Sequence, residues 1–191
     1  IHGSKGWGQD VLASHLALSL LQEDIESDAR LLAHPDLRWI EPEGAVLKIE
    51  QIREACVFMS QKARFGLAKI AVINQAECMN LSAGNALLKT LEEPGEGGYI
   101  FLVTHSPQRL PVTVRSRCQR IQVRESDVGS VGTWLESHGY GSDAARQLLA
   151  EHGGAPYLTL SALERDDQPI WATLNDVNDE AMSALEVAFK W

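Results

Sequence analysis

The sequence predicts an α/β fold in which a parallel sheet is flanked by helices and followed by a small all-α domain. Three observations carry this. A glycine-rich loop, Gly3-Ser4-Lys5-Gly6-Trp7-Gly8-Gln9-Asp10, opens onto a stretch with apolar residues at helical spacing: Val11, Leu12, Leu16 and Leu20. Two short apolar runs, 68–74 (AKIAVIN) and 99–104 (YIFLVT), are separated by a helical segment. That is the pattern of strands buried on both faces of a parallel sheet. After Arg124-Glu125-Ser126 only helical patterning remains.

Taken in order, residues 10–21 read as a helix whose first turn carries Asp10, a carboxylate suited to the helix dipole. Residues 37–40 form a short strand candidate after Pro35. Ile49, Ile52, Cys56, Met59 and Ala63 mark a second amphipathic helix. The run 68–74 is a buried strand. Residues 82–92, with Ala86, Leu87, Leu88 and Leu91, form a helix stopped by Pro94 and Gly95. The run 99–104 is the next strand, 107–116 a short helix or turn, and 118–123 a last strand. Residues 1–125 are expected to form the sheet domain. Residues 126–191 are expected to form a helical lid, broken at Gly139 to Gly141, Gly153-Gly154 and Pro169.

Composition narrows the function classes. The 191 residues carry 26 Asp and Glu against 17 Lys and Arg, a net charge of −9. Phosphate contact needs Lys and Arg, so nucleic acid is expected to be reached through partners or a local basic strip. No apolar run approaches the ~20 residues that span a bilayer. Cys56, Cys78 and Cys118 lie far apart and form no CxxC pair, so they read as partly buried reduced thiols of a cytoplasmic protein. His2, His15, His105, His138 and His152 show no metal-ligand spacing, and no metal site is expected. The chain opens almost directly on its glycine-rich loop without Met, which reads as a fragment lacking upstream residues.

The loop has the spacing of a P-loop, GxxxxGK[ST], in which backbone N–H groups cradle phosphates. A Lys then reaches the β- and γ-phosphates, and a Ser or Thr hydroxyl binds Mg²⁺. Gly3, Gly6 and Gly8 keep the framework and Lys5 lies within it, but Gln9 and Asp10 occupy the two chemical positions. Gln is neutral, and Asp adds negative charge where a triphosphate would sit. The second strand tells the same story. In P-loop ATPases it ends in acidic residues that hold Mg²⁺ and polarise water. Here it ends in Asn74 and Gln75, amides that cannot act as bases and bind Mg²⁺ poorly. Both motifs persist in outline and lack the same function.

Two further strings are specific: Asn85-Ala86-Leu87-Leu88-Lys89-Thr90-Leu91-Glu92-Glu93-Pro94, and Ser116-Arg117-Cys118 within Thr113 to Cys118. With Thr104 at the end of its strand, at the sensor-1 position, their order resembles the AAA+ clamp-loader family across residues 1–125. That family comprises the gamma/tau and delta-prime subunits of bacterial DNA polymerase III and their relatives in replication factor C. His34-Pro35-Asp36, and Arg64-Phe65-Gly66 with Lys69, resemble the delta-prime branch. The resemblance continues more weakly into Gly153-Gly154-Ala155-Pro156, at the sensor-2 helix start, where Tyr157 stands in place of an expected Arg.

The resemblance implies a non-catalytic stator that works in a ring with gamma/tau and delta subunits and helps load a sliding clamp on primed DNA. It also implies that Arg117 of the SRC motif acts in trans as an arginine finger on a neighbour's ATP, with Cys118 packing beside it. ATP and Mg²⁺ are not expected to bind tightly. The family's four-cysteine zinc module is absent from residues 21–33, so no zinc is expected, and the C-terminal collar domain falls outside this chain. The alternatives are an active gamma/tau-type ATPase, against which Gln9, Asp10, Asn74 and Gln75 stand, and an AAA+-derived interaction scaffold, against which the two specific strings stand.

Overall fold

The structure, a computed structural model, describes residues 1–24, 27–65 and 68–167. Packing divides the chain into two compact units: Ile1–Ser4 with Gly8–Arg124, and Lys5–Trp7 with Glu125–Trp191.

The first unit is built on three parallel strands in the order β1 (Leu37–Ile40), β2 (Lys69–Ile73), β3 (Gly98–Leu102). Every residue of β2 is buried, which is why its sequence is a continuous apolar run rather than an alternation. Side chains alternate across the strand, so the two faces build separate cores. Ile70 and Val72 pack with Ala13, Ala17 and Leu18 of α1 (Gln9–Leu21). Ile73 packs on the other face with Ile52 of α2 (Ile49–Met59) and Leu87 of α3 (Leu81–Glu92). Helices therefore cover both faces, as the sequence predicts. Asn80 caps α3 by accepting from the Ala83 N–H at 2.8 Å. The helix ends just before Pro94, which cannot continue it.

β1 keeps the expected bounds, β2 is one residue shorter at each end than the run 68–74, β3 begins one residue before and ends two before the run 99–104, and one strand is corrected. Residues 118–123 do not form a strand; Gln122 makes a single parallel bridge to His2. The neighbour these residues meet is the short segment Ile1–His2. The His2 N–H donates to Ile121 O and His2 O accepts from Val123 N, each at 2.8 Å, and the ladder stops there. His2 also bridges Thr104, so its backbone occupies the sheet position beyond β3.

A short helix, α4 (Val112–Arg115), follows the turn after β3 and packs on α3 through buried Val114. The start of β1 is tied down by a buried ion pair. Asp36, 1% exposed, accepts from the backbone N–H groups of Arg64 (2.8 Å) and Phe65 (3.0 Å) and from Lys69 Nζ (3.2 Å). Lys69, itself buried, lies 4.1 Å from the Phe58 ring centroid.

The second unit contains α5 (Val128–Ser137), α6 (Asp143–Glu151) and α7 (Pro156–Glu164). Asp127 and Ser142 cap the first two, accepting from Ser130 N and Ala145 N. Pro156 opens the third, where its missing N–H costs nothing. Val131, Leu135, Ala145, Leu148 and Ala162 are buried. The chain turns at Gly139, Gly153 and Gly154, all with positive φ. Residues 168–191, with the expected break at Pro169, lie outside the described residues.

Candidate functional site

In the first unit, Gly8 stands at the N-terminus of α1 with φ 82°, so the loop enters the helix in a left-handed turn that favours glycine. Gln9 follows and is fully buried. Its Nε2 donates to the Ser4 carbonyl at 2.6 Å, while its Oε1 is buried without a hydrogen-bond partner. A Cβ on Gly3 would lie 2.7 Å from both Gln9 Nε2 and Val123 O, so glycine is required there by close approach. The Gln9 side chain thus turns back into the loop instead of reaching outward as a phosphate-binding Lys must. Asp10, in the first turn of α1, lies 3.5 Å from Arg30 Nη1.

Lys5–Trp7 cluster with the second unit. The Gly6 carbonyl accepts from the Tyr157 N–H at 3.0 Å, which occupies one of the free donors at the start of α7. Gly6 has φ +82°, and a Cβ built on it would meet Leu158 Cγ at 2.4 Å. Trp7 is buried, and its ring lies 3.8 Å from where a Cβ on Gly154 would be. Sequence reasoning left Trp7 without an explanation; its partner is about 150 positions away in the chain.

At the C-terminal end of β2, Asn74 donates from Nδ2 to Glu41 Oε1 at 3.3 Å and accepts from the Gln75 N–H at 3.0 Å. Gln75 is exposed with φ 48°. Both amides are engaged locally or turned to solvent. Thr104, beyond β3, is buried, and its hydroxyl accepts from the Ser106 N–H at 3.1 Å, stabilising the turn that follows. Among the described residues no group of three or more His, Cys, Asp or Glu could hold a metal ion.

Arg117 sits in the turn after α4, not at the start of a strand. Its Nε donates to Glu92 Oε1 at 2.6 Å, and its Nη1 donates to the Thr113 carbonyl at 2.9 Å. Ser116 Oγ donates to the same carbonyl at 3.1 Å. Cys118 is half-buried against the α2–α3 core; its Sγ donates to Val114 O, and burial pushes its thiol pKa up, so it remains a packed thiol. Sequence reasoning singled out Arg117 but gave Glu92 and Thr113 no role. Glu92 was visible within a string of known specificity; the Thr113 carbonyl carries no side-chain signal.

A parallel sheet with helices on both faces, a glycine-rich loop opening α1, and polar residues at the ends of β2 and β3 define a AAA+ module of the P-loop type. Solved structures share this fold. A gamma subunit-related protein of DNA polymerase III from Thermotoga maritima matches with a TM-score of 0.58 and 20% identity over 83% of this chain and 64% of that one. The Thermotoga maritima RuvB Holliday junction branch migration motor matches with a TM-score of 0.58 and 18% identity over 86% and 52%.

The chain belongs to the DNA polymerase III delta subunit family, whose description matches residues 1–127. The delta' subunit of Pseudomonas aeruginosa is 35% identical over 82% of this chain and 52% of its own length. That of Escherichia coli is 33% identical over 74% and 43%. The Escherichia coli tau subunit is 34% identical over 72% of this chain and 22% of its own. The chain thus spans about half the length, or less, of the curated relatives it matches. No helix among the described residues is long and apolar enough to cross a membrane.

Proposed function

We propose that this chain is the AAA+ part of a non-catalytic clamp-loader subunit, the stator of a bacterial DNA polymerase III clamp loader. It acts in the cytoplasm in a ring with gamma/tau and delta subunits. Through that complex it helps load the sliding clamp onto primed DNA. Its own loop binds no nucleotide, and its contribution to hydrolysis is Arg117, inserted into a neighbour's ATP site.

The observation that carries this reading is Gln9. A working loop needs a cation aimed at phosphate; Gln9 is neutral, buried and bonded to the Ser4 carbonyl. Asp10 places a carboxylate where a hydroxyl would bind Mg²⁺, and Asn74 supplies an amide where a carboxylate would. The residues present do not fit Mg-ATP. Arg117 offers what such a subunit still needs, a permanently charged fork of donors at an exposed turn. The active gamma/tau-type reading draws on the 34% identity to tau; the four replaced residues stand against it.

The complete subunit carrying this chain should assemble with gamma/tau and delta subunits into a stable complex, read by size-exclusion chromatography with light scattering. Failure of the purified subunits to assemble at micromolar concentration would remove the clamp-loader reading.

A further inference from the structure

We propose that Glu92 is a positioning residue for Arg117: it aims the guanidinium before a neighbouring subunit arrives. This rests on the reading of Arg117 as a trans-acting arginine and deepens it.

The geometry is a two-sided clamp. Glu92 is the last residue of α3, and its Oε1 takes the Arg117 Nε–H at 2.6 Å. The Thr113 carbonyl, exposed in the short helix α4, takes Nη1 at 2.9 Å. The two holders come from different elements, and those elements are fixed to each other through the core by Leu87 and Val114. Among the described residues, Nη2 has no protein acceptor. Arg117 also lines a cleft of ≈ 400 Å³ with Leu91, Pro94 and Tyr99. The edge of the guanidinium that remains free is therefore the one an outside anion would meet.

Stability does not explain the arrangement. A carboxylate at the C-terminal end of a helix is disfavoured by the helix dipole, so Glu92 gains nothing from its own helix. The pair is 35% and 52% exposed, and exposed ion pairs contribute little to folding. What the pair does remove is freedom. A long side chain held at two donors has already lost the rotamer entropy that binding would otherwise cost. A planar fork oriented in advance suits an anion whose charge develops only in the transition state.

The test uses the complete subunit reconstituted into the clamp loader. Glu92→Ala should lower the Arg117-dependent part of the ATPase kcat by about two- to five-fold, the range expected for losing one exposed ion pair. KM for ATP should stay unchanged, because ATP is held by the neighbour. Glu92→Gln should recover most of the loss, since its amide oxygen still accepts from Nε. The double variant with Arg117→Ala should be no slower than Arg117→Ala alone.

A Glu92→Ala rate equal to or above that of the parent would overturn the proposal, the latter by making Glu92 a mask that competes with phosphate. A double variant slower than Arg117→Ala would show that Glu92 acts through something other than the arginine. If Arg117→Ala itself is silent, the trans reading fails instead. The positioning is then decided by NMR of the free subunit. A discrete, slowly exchanging Arg117 Nε–H signal in the parent and in Glu92→Gln, lost in Glu92→Ala, supports it. An averaged signal in the parent contradicts it.

Discussion

Arg117→Ala in the complete subunit is expected to leave folding and assembly intact and to lower the DNA- and clamp-stimulated ATPase of the reconstituted clamp loader. Arginine fingers contribute roughly 10³–10⁵ in rate in well-studied phosphoryl-transfer systems. The whole loss falls on the one site that Arg117 serves, so steady-state turnover of the complex should drop by that site's share. Single-turnover kinetics at that site should show the full factor. Folding is spared because the side chain is partly exposed and makes a surface pair with Glu92. Arg115→Ala is the internal control. Its Nη1 is turned toward the Pro107 carbonyl at 3.4 Å, so it should change the rate far less. Unchanged ATPase and clamp loading with Arg117→Ala would leave the subunit a purely structural member of the ring.

The second large effect concerns stability. Asp36→Ala should destabilise the first unit by about 3–5 kcal/mol, because it strands Lys69 as a buried, unpaired ammonium. It also leaves the N–H groups of Arg64 and Phe65 without their acceptor. Urea unfolding should show a lower midpoint at unchanged slope. A shift equivalent to less than ~1 kcal/mol would mean that water reaches the pair and solvates Lys69.

The pH dependence has a definite sign. Burial alone would raise the Asp36 pKa, but the two backbone donors and Lys69 together hold it below the ordinary carboxylate range. A carboxylate with a depressed folded pKa contributes stability that is fully present above its unfolded value, near pH ~4. That contribution is lost as pH falls through the lower, folded value. The gap between parent and Asp36→Ala should therefore be flat near neutrality and close only under strong acid.

What the sequence showed, and what it hid, follows from the range of the interactions. β2 was legible because burial on both faces leaves a continuous apolar run, Ile70 to Ile73, that needs no knowledge of its neighbours. The end of α3 was legible because Pro94 stops a helix locally. The failed strand at 118–123 looked right by composition, but pairing depends on a partner, and Ile1–His2 supports only the bridge at Gln122. The lack of a Lys and of a Ser or Thr at the loop's two chemical positions could be read from Gln9 and Asp10 as residue types. That Gln9 folds onto Ser4 could not, because a side chain's choice of a carbonyl leaves no mark in the sequence, and that Gly6 accepts from the Tyr157 N–H and lies against Leu158 could not, because those partners stand about 150 positions further along the chain. The Asp36–Lys69 pair was present as two family-like strings without a stated link. Their connection spans 33 positions and exists only once the start of β1 sits beside β2.

In the function proposed for it, this chain's own loop binds no nucleotide and Arg117 acts in a neighbour's ATP site. Calorimetric titration of the isolated chain with Mg-ATP tests it most directly. With Gln9 bonded to Ser4 and Asp10 standing where a Ser or Thr hydroxyl would be, the charge-assisted contacts of a working loop are missing, at about 1.5–3 kcal/mol for each one lost. The expected result is no saturable heat up to millimolar nucleotide. A micromolar dissociation constant, with or without hydrolysis, would contradict the account.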